Sequence, residues 1–285
     1  MDQHTDGAAR PEPDRRAEGP AGESPVAPAP PGEPAGLPPD VAVLWRRPAP
    51  GRRGPRPSLS LDGIADAGVA LADAEGLEAV SMARVAQSLG FTTMSLYRHV
   101  RSKDELLMLM VDRAAGPPTP VGPEAGDWRA RLETLLEAQR PTLAAHPWFA
   151  DLPAVLFALG PNRLAWMDAM LACLEDTQVP EAHKVEAVGV LASHQLDWAR
   201  LESAYTARQR QVAAAGGGQG DPDALIARLV SPDEHPALAR AVAGGAFDRP
   251  AGEPTAEPTD RAGLDFGTTM ILDGIAALVA RSARP

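Results

Sequence analysis

Polar and apolar positions divide the chain into blocks. Residues 1–40 hold ten prolines and scattered charges without apolar periodicity, a composition too poor in core formers to offset its ordering entropy, so they read as disordered. Val41 to Trp45 is a short apolar patch leading into RRPAPGRRGPRPS, which reads as extended and mobile, and 1–57 forms one Pro/Arg-rich extension. Regular structure is predicted from Ser60. Leu61, Ile64, Ala67, Gly68 and Leu71 recur at helical spacing up to Glu75-Gly76. Ser81 caps a short second helix with Val85, Ala86 and Leu89 on its apolar face, and Gly90 sits just past its end. Thr92 or Thr93 caps a third helix with Leu96 and Val100 four residues apart. Ser102 and Glu105 then form a capping box that opens a fourth helix through Leu106, Leu107, Leu109, Met110 and Val111. This four-helix unit spans 58–116, and the Gly/Pro-rich stretch 116–126 closes it.

A second block, 127–283, is also helical in pattern. Asp127 caps a helix to about Ala145, in which Pro141 predicts a bend or break. Gly160-Pro161 starts a helix through Leu164, Met167, Met170 and Leu174, and a long helix runs from Pro180 to about Ala214. GGGQGD at 216–221 reads as a linker, 222–245 as one or two short helices, 249–258 as a second linker, and Leu264 to Ala283 as a final helix. No strand pattern or repeat is visible, so the predicted fold is all-α: an N-terminal helix-turn-helix unit and a larger helical ligand-binding and dimerisation domain.

Composition narrows the class. No apolar run reaches the roughly 18 to 20 residues needed to span a bilayer, and the acidic, proline-rich N-terminus lacks the apolar core of a secretory signal. With one cysteine, Cys173, neither a disulfide nor a cysteine metal cluster is expected, and a reducing cytoplasm is the default compartment. The formal net charge is −11, yet residues 41–59 and 80–103 contain nine arginines and lysines and no acid. A basic patch on an acidic molecule suits positioning on phosphate, although such windows also arise by chance in an Arg-rich chain. Few lysines among many arginines, with abundant Ala, Gly and Pro, fit a GC-rich bacterial genome.

The turn Leu89-Gly90-Phe91 between two short helices is a helix-turn-helix spacing. With Leu96 and Val100 committed to the core, Thr93, Ser95, Arg98 and His99 face outward and Tyr97 lies at the edge. Hydroxyl, imidazole and guanidinium groups hydrogen-bond base edges and phosphates, and Met94 suits a thymine methyl.

Residues 76–114, GLEAVSMARVAQSLGFTTMSLYRHVRSKDELLMLMVDRA, closely resemble the DNA-binding domain of the tetracycline repressor (TetR) family. GPNRLAWMDAML and LDFGTTMILDGIAALVAR resemble the subgroup nearest the tetracycline repressor itself. The resemblance implies a homodimeric bacterial transcription factor, usually a repressor, that binds double-stranded operator DNA in the cytoplasm, at the nucleoid. A small molecule bound in the C-terminal domain would release it. It assigns phosphate contacts to Ser81 and Thr92. Base and backbone contacts fall to Thr93, Met94, Ser95, Tyr97, Arg98 and His99, and a backbone contact to Lys103. Where tetracycline-type members carry a base-reading arginine, this chain has Ala83 with Arg84 beside it, so the operator sequence does not transfer. Tyr97 is also open to a packing role on the fourth helix. Arg52, Arg53 and Arg56 are candidate minor-groove arm contacts or a solvated tail.

Candidate effector contacts are Trp148, Phe157, Asn162, Trp166, Met167, Met170, His194, Gln195 and Trp198, although core or dimer packing accounts for each of them more readily. His183 and His194, eleven residues apart on one helix, lie roughly 16 Å apart and cannot share a metal. No metal or other cofactor is expected. Dimerisation is expected to pair the long and final helices with their two-fold mates. Gly267, Gly274 and Ala277 would allow close approach, and Phe266, Met270, Ile271, Ile275 and Leu278 supply apolar surface. An enzyme is disfavoured because no nucleophile–base pair, metal spacing or phosphate-cradling loop occurs. An activator, a ligand-independent regulator, or a scaffold that has lost DNA binding remain alternatives.

Overall fold

The computed structural model describes residues 36–45, 59–152, 160–214, 222–247 and 265–283. Every regular element among them is helical. The helices are α1 (Pro39–Ala42), α2 (Leu61–Glu75), α3 (Met82–Ser88), α4 (Thr93–Tyr97), α5 (Lys103–Ala115) and α6 (Trp128–Ala145). They continue with α7 (Pro161–Cys173), α8 (Glu181–Ala214), α9 (Pro222–Leu229), α10 (Pro236–Ala243) and α11 (Phe266–Ser282). The linker stretches at 216–221 and 249–258 lie outside the described residues.

In the N-terminal unit the apolar periodicity becomes a core in which Ile64, Leu96, Val100, Leu106 and Met110 are fully buried. Helix α2 lies along α5, and Gly68 sets their approach: a methyl group there would stand 2.7 Å from Met110 Sδ. Regular structure begins earlier than Ser60. Pro39 occupies the first turn of α1, where its fixed φ is already helical, and the following 3-10 turn Val43–Trp45 packs on α5 with Val43 buried. Two valines and a tryptophan recover enough burial to order this short segment, which the proline-rich average composition conceals.

In the C-terminal part, Leu132, Leu135 and Leu136 of α6 meet Trp166 and Met170 of α7, Val188 and Leu191 of α8, and Leu272 and Ile275 of α11 in one continuous core. Helix α6 runs through Pro141 and ends only at Ala145. A proline removes one intrahelical bond, and the buried Gln139 and Leu143 on either side hold the helix in place. Helix α11 docks on α8 through a polar cluster. Asp265, its N-cap, accepts from Thr268 N (2.9 Å) and Thr268 Oγ1 (2.6 Å), His194 Nε2 lies 2.7 Å away, and Gln195 Nε2 donates to Thr268 Oγ1 (2.6 Å).

This docking corrects two dimer-face expectations. A methyl group on Gly267 would collide with the His194 ring, so that glycine serves α8 of its own chain, and Ile275 is buried inside the protomer. Phe266, Met270 and the unobstructed Gly274 do face outward.

Candidate nucleic-acid interface and effector cavities

Local bonds build the reader unit. Ser81 Oγ accepts from Arg84 N (3.3 Å) to start α3. At its end Phe91 N donates to Ala86 O and Gly90 N to Gln87 O, with Gly90 at φ 74°, a left-handed glycine stop that fixes the turn. Thr92 is the cap of α4: its Oγ1 accepts from Ser95 N (3.2 Å) and lies 2.9 Å from Ser95 Oγ. Ser102 Oγ accepts from Glu105 N (3.1 Å). The Glu105 carboxylate reaches back to Arg101 N (2.6 Å), one residue further than the capping box predicts. That bond ties the end of the reader helix to the start of α5.

The outward stripe of α4 differs from the one that the Leu96 and Val100 spacing predicts. Met94 is 73% exposed and Tyr97 45%, and Arg98 is exposed, whereas Thr93, Ser95 and His99 are half-buried. A five-residue helix anchored by Leu96 turns positions 94, 97 and 98 outward together, so Tyr97 belongs to the face rather than its edge. Lys103 is exposed in the first turn of α5. Arg101 and Gln87, absent from the sequence-based selection, are exposed on the same segments; an acid-free window marks the first, and the polar face of α3 marks the second. Arg84 is tied down: its Nη2 lies 2.6 Å from Glu75 Oε1, and this hydrogen bond raises the guanidinium pKa and lowers that of Glu75. Arg52, Arg53 and Arg56 lie outside the described residues.

Two cavities lie among the described residues of the C-terminal part. One of about 400 Å³ runs between the end of α6 and the middle of α8, lined by Arg140, Pro141, Pro147, Trp198, Glu202 and Arg210 among others. One of about 230 Å³ sits between α6, α7 and α8, with Gln139, Arg163, Trp166, Met170 and Val188 in its wall. Leu143 and Gln195 belong to both, so the two adjoin. Of the expected effector contacts, Trp166, Met167, Met170, Gln195 and Trp198 line these spaces. Phe157 lies outside the described residues.

Trp148, Asn162 and His194 line neither cavity, because each is committed elsewhere. His194 faces Asp265, as above. Trp148 is buried, stacks on Phe149 at a centroid distance of 4.8 Å, and donates from Nε1 to Asp73 Oδ1 (2.7 Å) at the end of α2. His146 Nδ1 meets the same carboxylate oxygen at 2.8 Å. Asn162 takes part in a second link to the reader unit. Asp112 of α5 accepts from Asn162 N (2.9 Å), Arg163 N (3.1 Å) and Asn162 Nδ2 (3.1 Å). Asn162 Nδ2 also donates to the Asp112 carbonyl (2.9 Å). Helix α7 has a glycine, Gly160, where a capping side chain normally sits, and Asp112 supplies that cap from the other unit. A methyl group at Gly160 would collide with the Asp112 carboxylate. Burial pushes the Asp112 carboxyl up from its ordinary value, and the bonds from Arg163 and Asn162 offset this only in part.

A helix-turn-helix with a basic outward stripe, tied to a cavity-bearing helical domain, defines a transcription regulator of the helix-turn-helix class. Residues 64–109 match the model described as "Bacterial regulatory proteins, tetR family", and residues 119–279 that described as "Tetracyclin repressor-like, C-terminal domain". The chain belongs to the tetR family of DNA-binding transcription regulators. It is 34% identical over 248 residues to the HTH-type transcriptional repressor DrrR1 of Streptomyces coeruleorubidus, covering 85% of this chain and 86% of that protein. To the HTH-type transcriptional repressor Rv1353c of Mycobacterium tuberculosis it is 29% identical, over 82% and 86%. The fold is similar to that of ActR from Streptomyces coelicolor in complex with actinorhodin: the TM-score is 0.61 at 23% identity, over 80% of this chain and 100% of that one. Among the described residues no helix is long and apolar enough to cross a membrane.

Proposed function

We propose that the protein is a dimeric, ligand-responsive repressor. Met94, Tyr97 and Arg98, with Thr93, Ser95 and His99 beside them, read a palindromic operator. Ser81, Thr92 and Lys103 hold its phosphates, Arg84 being engaged by Glu75, and a small molecule in the cavities of α6–α8 releases it. The observation that carries this reading is the pairing of each cavity with a polar link to the reader. Arg163 lines the smaller cavity with its side chain while its backbone N–H holds Asp112. Pro147 lines the larger one between His146 and Trp148, which hold Asp73. A ligand that moves either wall moves α2 or α5, and with them α4. The repressor names of the relatives and the actinorhodin bound to ActR point the same way.

Dimerisation is supported by apolar side chains that the protomer leaves uncovered on α8 and α11: Phe266 at 70% exposure, Met270 at 58%, and Val190 and Leu201 at 57% each. Sedimentation at micromolar concentration is expected to give a dimer, and a monomer there contradicts it.

Fluorescence anisotropy on the DNA flanking the gene, at two salt concentrations, tests the whole reading. Tight, salt-sensitive binding is expected, with Tyr97→Ala weakening it by about tenfold, the equivalent of ~1.4 kcal/mol, at unchanged unfolding midpoint. Equal affinity of Tyr97→Ala and the parent would remove α4 from the interface.

A further inference from the structure

We infer that Trp166 is the positioning residue that carries occupancy of the smaller cavity to the reader: its ring is cavity wall, and its indole N–H holds the C-terminal end of α5. This rests on the ligand-responsive reading and deepens it. The last carbonyls of a helix have no partner within it. At the end of α5 they turn to Trp166, whose Nε1 donates to Gly116 O (3.0 Å) and, more weakly, to Ala115 O (3.4 Å). The indole is 4% exposed and lines the cavity. One side chain therefore touches both the ligand space and the helix to which Glu105 ties the reader.

The bond closes a reciprocal joint. Asp112, one turn before the end of α5, caps the start of α7 at Asn162 and Arg163. Trp166, one turn after that start, caps the end of α5. Each helix thus satisfies free groups of the other, and the two bonds lie one turn apart along both. Such a joint resists sliding but yields to a tilt of the ring. The indole is a rigid plate on two torsions, so contact on its cavity face moves its N–H. Met167 and Met170, in the same wall, have flexible side chains that adapt without moving their backbone. Gln195 also lines the space, but it donates to Thr268 of α11 and leads away from the reader.

The experiment builds the occupant into the full chain. Ala192 lies one turn beyond Val188 on α8, both in the cavity wall, and Ala192→Phe places a ring inside. Gly189→Leu, at a wall position where an added methyl group meets nothing within 4 Å, serves should Ala192→Phe not fold. Hydrogen exchange is followed by mass spectrometry in a peptide covering the last turn of α5. The filling variant is expected to speed exchange there about tenfold, with α3 within about twofold of the parent. Trp166→Phe, which keeps a ring and loses the donor, should give the same acceleration alone, and combining the two should add less than about twofold. No acceleration by the filling variant, equal acceleration with and without Trp166, or a uniform acceleration through α2–α5 overturns the assignment. Operator affinity is measured on the same variants. Exchange coupled through Trp166 with operator affinity unmoved by the filling variant keeps the joint and removes the ligand-responsive reading. Operator binding weakened equally in both backgrounds, with exchange independent of Trp166, keeps that reading and removes the joint.

Discussion

The four helices α2–α5 and the cavity-bearing helices α6–α8 and α11 are assembled by different kinds of information. In the first group every helix is started by its own neighbour in sequence: Ser60, Ser81, Thr92 and Ser102 each accept a backbone N–H three residues on. In the second, Asp127 and Asp265 act in the same local way, but α7 begins at a glycine and borrows Asp112 from fifty residues upstream. A reader must keep its shape whether or not it is on DNA, and local caps provide that. A helix that has to report on a ligand gains from a start that belongs partly to the element it signals to. Independence is built into one region and dependence into the other.

The sharpest way to break this contrast is Gly160→Ala. The added methyl group displaces the Asp112 carboxylate and leaves the N–H groups of Asn162 and Arg163 unpaired, with an expected loss of about 3 kcal/mol in urea unfolding. Operator affinity of the surviving folded protein should stop responding to ligand. A loss below about 0.5 kcal/mol with the response intact would mean that Asp112 is not a shared cap. Thr92→Ala, a local cap in the other region, should cost about 1 kcal/mol and weaken DNA binding without altering the ligand response. If it abolished the response instead, the independence of the reader would be lost.

The smallest effect is one of pH, and it has opposite signs in two carboxylates. Asp112, raised by burial, contributes most below the ordinary aspartate value, and its contribution falls as pH rises through the raised folded pKa. Burial also pushes Asp265 up, but the Thr268 hydroxyl, the His194 ring and Thr268 N–H outweigh it and hold the carboxyl low. Its contribution is therefore present above the ordinary value and lost as pH falls through the depressed one. Unfolding midpoints of Asp112→Asn and Asp265→Asn, each against the parent from about pH 3 to 7, should diverge in opposite directions. Parallel curves would remove the distinction.

Where information is local the sequence is legible. The caps at Ser81, Ser102 and Asp127, the stop at Gly90, the start of α7 and the helical class all follow from short-range patterns. What escaped is what distance alone decides. Asp73 and Asp112 look like ordinary helix-surface acids, and nothing near them indicates His146, Trp148 or Asn162 as partners. Trp148 and His194 invited an effector role because a lone aromatic or imidazole in an apolar helix resembles a pocket residue, yet each satisfies a carboxylate instead. Gln139 and Arg163 went unselected because a cavity wall is assembled from three helices. One clue was present: a Gly-Pro helix start with no capping side chain implies that another part of the chain supplies the cap.

Pro141 carries a mechanical consequence. Helix α6 holds Gln139 in one cavity wall and leads, through His146, to the Asp73 contact, and Pro141 lies between them. At that residue the rod lacks one of the bonds that make it stiff, so on the proposed ligand-responsive reading a push from the cavity would find its most compliant joint there. The last turn of α6 would then swing as a short lever about a fulcrum fixed in the covalent chain. The direction of such a stroke would be set by the chain, and a ligand would supply only its force.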